Sequence, residues 1–93
     1  MSDWNFFSNH AHVIFILSLK ESITIRELAL EVGITERFAH KVISELSING
    51  YVTINKKGRQ NHYKVNQRKK LRHHIESHIK IGELIKLISK DDV

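Results

Sequence analysis

Eight basic side chains, Lys56, Lys57, Arg59, Lys64, Arg68, Lys69, Lys70 and Arg72, fall between positions 46 and 75, and no aspartate or glutamate falls there with them. Ammonium and guanidinium groups bind phosphate oxygens, arginine in a bidentate fork. A run of such groups with no acid to neutralise it makes a local positive field, the electrostatic signature of a nucleic-acid-binding surface. The formal charge of +5 on the whole chain favours a polyanionic partner without naming one.

The seven histidines offer a second chemistry. His10 and His12 lie two apart, and His73, His74 and His78 gather around Glu76. On a helix, His74 and His78 would share a face at i, i+4, a workable spacing for metal ligands. The plainer role is capping, hydrogen bonding or solvation, and no metal is assigned. There is no cysteine. That removes disulfides, thiolate zinc sites and thiol catalysis, and leaves no sign of an oxidising compartment. The four glycines, at 33, 50, 58 and 82, are too scattered for a phosphate loop. No serine–histidine spacing or carboxylate pair marks a reaction centre, so the expectation is a non-enzyme without a cofactor.

These groups need a frame. Ninety-three residues suffice for one small domain, 1–93, which is marginal alone and gains from dimerisation. Trp4, Phe6, Phe7, Val13, Ile14, Phe15, Ile16, Leu17 and Leu19 predict a buried first helix within about residues 5–20, starting between 5 and 12. A short strand over 13–17 is the competing reading. Thr24 and Glu27 fit a capping box, opening a second helix that buries Leu28, Ala29 and Val32. Gly33 suits the left-handed residue ending that helix, with Ile34 folding back on it. Thr35 is the next N-cap, and Glu36 lies in the first turn, where the helix dipole favours an acid. The third helix runs from about 36 to 48 and buries Phe38, Val42, Ile43 and Leu46.

After Asn49 and Gly50, two alternating segments, 51–55 and 60–66, predict a hairpin whose turn is Lys56-Lys57-Gly58-Arg59. Leu71, Ile75, Ile79, Ile81, Leu84, Ile85 and Ile88 then suggest one long C-terminal helix over 71–89. The fold class expected is mainly α with a small β-hairpin. The longest apolar run, 13–17, cannot span a bilayer and no signal peptide is evident, so the expectation is a cytoplasmic protein without a membrane partner.

The order helix, helix, tight turn, helix, hairpin, helix is that of a winged helix-turn-helix. Residues 24–66 resemble the DNA-binding domains of bacterial and archaeal regulators of the MarR and ArsR type. The resemblance lies in an "ELA…VGIT" core, an "LSINGYV" helix exit and a returning "GRQNHYKV" strand. The flanks resemble the ends of compact regulators of this kind. It implies a winged helix-turn-helix core at 24–66, flanking helices that form a dimer interface, and a DNA-binding transcriptional regulator without an appended ligand-binding domain. Some ArsR-type regulators sense metals at their dimer-forming helices, which is the context for His74 and His78.

On that frame the third helix enters the major groove, which at about 12 Å just admits a helix. Arg37, His40 and Lys41 are the expected base readers. Thr35 and Ser44 on the helix, with Lys56, Lys57, Arg59, Asn61 and Lys64 on the hairpin, are the expected backbone contacts. Arg68 to Arg72 either follow phosphates or only strengthen the field. The apolar C-terminal stripe, with Ile75, Ile79, Leu84, Ile85 and Ile88, is expected to pair with its copy in a homodimer. Double-stranded DNA is therefore the expected partner; any small-molecule effector is unspecified. Two other functions fit the same residues: a winged-helix protein-interaction adaptor, and a metal-responsive DNA-binding regulator using the C-terminal histidines.

Overall fold

The computed structural model describes residues 4–58 and 60–89. Four helices and a three-stranded antiparallel sheet follow in the order α1 (Asn9–Leu19), β1 (Ser22–Ile23), α2 (Ile25–Val32), α3 (Glu36–Ile48), β2 (Val52–Lys57), β3 (Gln60–Val65) and α4 (Ile81–Ile88). The fold is thus mixed α and β.

Helix α1 starts at a Ser8 cap, whose hydroxyl accepts from the N–H of Ala11, and it buries Val13, Ile14, Phe15 and Leu17. Its apolar residues occupy most of its circumference because α2, α3, α4 and β3 all pack on it. Residues 13–17 are therefore helix rather than strand.

Helix α2 opens on the expected capping box. The Thr24 hydroxyl accepts from the N–H of Glu27 at 3.1 Å, and the Glu27 carboxylate accepts from the N–H of Thr24 at 3.0 Å. The Thr24 N–H and the Thr24 hydroxyl, which also donates to Glu27 Oε1 at 3.0 Å, hold the Glu27 carboxyl below the usual carboxylate range. At the other end Gly33 has φ +88°, and both its N–H and that of Ile34 reach the Ala29 carbonyl. That geometry reverses the chain and starts α3 after only three residues. Thr35 caps α3 by accepting from the N–H of Phe38 at 3.0 Å. Ala39, Val42, Ile43 and Leu46 are the buried residues of α3. Phe38, expected in the core, is 36% exposed instead; Ala39 takes the inward position one step round the helix.

The strands are ordered β1-β3-β2. Strands β2 and β3 pair from Val52↔Val65 to Lys57↔Gln60, so their connection is tight, and Gly58 opens it with φ +65°. Strand β2 therefore runs through Lys56 and Lys57, which lie on paired strand rather than in the turn. Strand β1 is only two residues long. It lies beside β3 with Ile23↔Asn61 and carries the buried Ile23 into the core.

The C-terminal segment differs most from expectation. Helix α4 covers only Ile81–Ile88. Residues 71–80 are turns closed by a bridge between Lys70 and Lys80. The N–H of Leu71 donates to Ile79 O at 3.0 Å, that of Ile81 to Lys69 O at 2.8 Å, and that of Gly82 to Gln67 O at 2.9 Å. Polar side chains inside the loop bond to backbone: His73 Nδ1 accepts from the N–H of Ile75, and the Ser77 hydroxyl donates to His74 O. Such local bonds compete with a helix ladder. The Tyr51 hydroxyl fixes the base of the loop by donating to Lys70 O at 2.6 Å. Among the described residues no helix is long and apolar enough to cross a membrane.

Candidate nucleic-acid interface

Helix α3 is held from both ends, by the Thr35 cap and by Asn49, whose backbone and side-chain N–H groups both reach the Glu45 carbonyl. Its outer line is Arg37, Lys41, Ser44 and Ile48, spaced four, three and four residues apart, and all four are exposed. Arg37 makes no hydrogen bond or ion pair among the described residues. The Lys41 ammonium lies 6.0 Å from the centre of the Phe38 ring, at the outer limit of a cation–π contact, and forms no close ion pair among the described residues, although its charge acts on Glu45 one turn on.

His40 and Ser47 occupy the flank next to this line, and Ser44 lies between the two at the same helical spacing. That flank faces the hairpin across a cleft of about 320 Å³. His40, Ser44 and Ser47 line one side of it, and Ile54, Lys56, Asn61 and Tyr63 line the other. Ile25, Ile43 and Ile48 complete the lining. Four of the residues singled out in the sequence, His40, Ser44, Lys56 and Asn61, thus come together here. The Asn61 amide donates to the Tyr63 hydroxyl at 3.1 Å, which fixes its orientation.

The remaining expected contacts divide by strand alternation. Lys57 and Lys64 point to the sheet face opposite the one that carries Ile54, Lys56 and Tyr63. Lys64 shares a shallow pocket on that outer face with Asn55, His62 and Glu21, the residue before β1. Thr35 spends its acceptor on the cap of α3, which leaves its hydroxyl proton for any further contact. Arg59 lies outside the described residues. Ser47, absent from the expected set, joins the cleft through its i+7 relation to His40.

The second half of the basic stretch lies elsewhere. The Lys69 ammonium is 5.7 Å from the centre of the Tyr51 ring, and Arg72 lines a separate cavity of about 390 Å³ with Phe6, Phe7, Tyr51 and Leu84. These bases sit at the C-terminal end of α3 and on the loop that follows β3, so the acid-free window forms two groups rather than one. Two ion pairs occur among the described residues, Lys20–Glu31 and His10–Glu45, and neither involves a base of that window.

His74 and His78 are not one turn apart on a helix, because residues 71–80 form turns. The His73 and His74 rings instead stack with centroids 4.5 Å apart. Among the described residues no group of three or more metal-ligating side chains converges. Of the residues expected at a dimer interface, Leu84, Ile85 and Ile79 are partly buried, whereas Ile75 is 69% and Ile88 39% exposed. Trp4, Phe6 and Leu87 add further exposed apolar surface. Comparison of the chain with protein-family models and with curated proteins finds no match.

Proposed function

We propose that this chain is a winged helix-turn-helix protein that binds double-stranded DNA sequence-specifically and regulates transcription as a homodimer. Helix α3 is the recognition helix, and the β2–β3 hairpin is the wing. The element order and the strand order β1-β3-β2 support the first part of this reading. The observation that carries the binding function is a pairing of surfaces. An exposed helix line bearing Arg37 and Lys41 stands beside a hairpin that carries Lys56 on its cleft face and Lys57 on the opposite face, and no ion pair among the described residues neutralises any of the four. Cations outside any ion pair on two adjacent projections suit a duplex, whose phosphates flank the groove a helix enters.

Arg37 and Lys41 on the outer line are the groups best placed to meet base edges, and Lys57 meets phosphate. Dimerisation draws on the exposed apolar side chains of the N-terminal segment and of α4, such as Phe6, Leu87 and Ile88. A closed two-fold dimer would present two recognition helices to half-sites about one helical turn apart. Selection of bound sequences from a random duplex pool tests the whole reading. A palindromic consensus is the expected result. Recovery of no enriched sequence, with duplex affinity no better than that of an uncharged protein, would overturn it in favour of a protein-interaction role.

A further inference from the structure

Resting on the DNA-binding reading, we propose that the cleft between α3 and the wing seats one backbone phosphate, and that His40, as an imidazolium, is a ligand to it opposite Lys56. His40 is then a pH-dependent affinity residue and not a reader of bases.

Position is the first argument. On the outer line of α3, which a groove floor would meet, Arg37 and Lys41 stand clear of the cleft, while Ser44 and Ile48 border it. His40 lies one step round, in the wall of the cleft, with Ser44 and Ser47 beside it and Lys56 and Asn61 across from it. A side chain in that wall is directed at whatever passes between helix and wing, and in a bound duplex that is a strand's sugar–phosphate backbone.

The chemistry of the lining is the second. Its polar groups are an imidazole, two aliphatic hydroxyls, an ammonium, a carboxamide and a phenol. All can donate to phosphate oxygens, and no carboxylate lines the cleft. The charged and titratable groups facing His40 are Lys56 from β2 and Tyr63 from β3; α2 contributes only Ile25. On α3 itself, Glu36 lies one turn before His40, and Arg37 and Lys41 lie on the outer line. An anion placed between His40 and Lys56 is attracted by both and relieves their mutual repulsion.

The consequence is measurable because histidine changes charge between pH 5 and 8, whereas lysine does not. Each phosphate neutralised adds about 0.9 to the slope of log affinity against log salt. The test measures that slope at about pH 8 and about pH 5.5, on the selected duplex and on a scrambled duplex of equal length. It compares the full chain with His40→Gln and Lys56→Gln, with thermal unfolding as a check that each variant is folded. The other histidines are common to all three proteins, so the difference between proteins isolates the cleft.

The expected result is that the low-pH increment in slope shrinks by about 0.9 in His40→Gln, equally on both duplexes. Lys56→Gln should lower the slope by a similar amount at both pH values. An unchanged increment in His40→Gln overturns the inference, as does a loss confined to the selected duplex, which would mark a base reader. In either case duplex binding by the parent chain still upholds the DNA-binding reading. Absence of salt-dependent duplex binding at both pH values overturns the two together.

Discussion

His10 Nε2 lies 2.7 Å from Glu45 Oε1, joining the first turn of α1 to the second half of α3 across thirty-five positions of sequence. Both side chains are close to half exposed. The hydrogen bond from His10 is the main reason the Glu45 carboxyl is held below its usual range, with smaller help from the charges of Lys41 and Arg72. Helix α3 is thereby tied on one flank to the N-terminal helix while its other flank borders the cleft.

The lowered Glu45 carboxyl gives a pH signature. A carboxyl whose folded value lies below its unfolded value stabilises the fold above the usual range near about pH 4.3, and that stabilisation is lost as pH falls through the folded value. The melting temperature of His10→Ala should therefore lie slightly below that of the parent chain at about pH 6 and approach it near about pH 3. A gap that stays constant through this acid window would argue against the pair.

The capping box of α2 can be probed alone. Thr24→Ala removes the acceptor for the N–H of Glu27 and should cost about 1 kcal/mol. In a chain of this size that lowers the melting temperature by roughly 4–8 °C. Thr24→Ser, which keeps the acceptor, should recover most of it.

Two leucines of α2, two residues apart, should behave oppositely. Leu28 is fully buried, and Leu30 is 74% exposed. Leu28→Ala leaves a cavity among α1, α2 and α3 and should cost about 2–5 kcal/mol in denaturant unfolding. Leu30→Ala should stay within about 0.5 kcal/mol of the parent.

On the proposed DNA-binding reading, Arg37 and Lys57 should separate base reading from phosphate binding. Arg37→Ala should cost about 1–3 kcal/mol on the selected duplex and little on a scrambled one. Lys57→Ala should weaken both duplexes alike and flatten the salt slope by about one unit. Fluorescence anisotropy across a salt series reads both effects. An equal loss for Arg37→Ala on the two duplexes would remove its base-reading role.

The sequence was most legible where local chemistry decides structure. Thr24, Glu27, Gly33 and Thr35 mark helix ends by their own hydrogen bonds and backbone freedom, and the bounds of α3 follow from them. The hairpin was legible from alternation and Gly58, although its strands run further into the basic residues than alternation suggested. Strand β1 was not, because two residues carry no period and Ser22 and Ile23 are strand only through β3. The spacing of Leu71, Ile75 and Ile79 imitates a helix, but long-range backbone bonds from Leu71 to Ile79 and from Ile81 to Lys69 override it. Of the candidate site, residue types were readable. That His40 shares a cleft with Lys56 while Lys64 faces away depends on how the hairpin packs on α3, and no local signal reports that.

The ladder that joins residues 67–71 to 79–82 fixes α4 by its base and not through the loop it closes. The intervening residues 72–78 hold three of the seven histidines and contribute none of the fully buried side chains. Lengthening such a closed loop is cheap, about 0.6 kcal/mol for each doubling. The segment is therefore a place where insertions and replacements can accumulate, and new sequence be tried, without displacing α4 or the cleft on the far flank of α3.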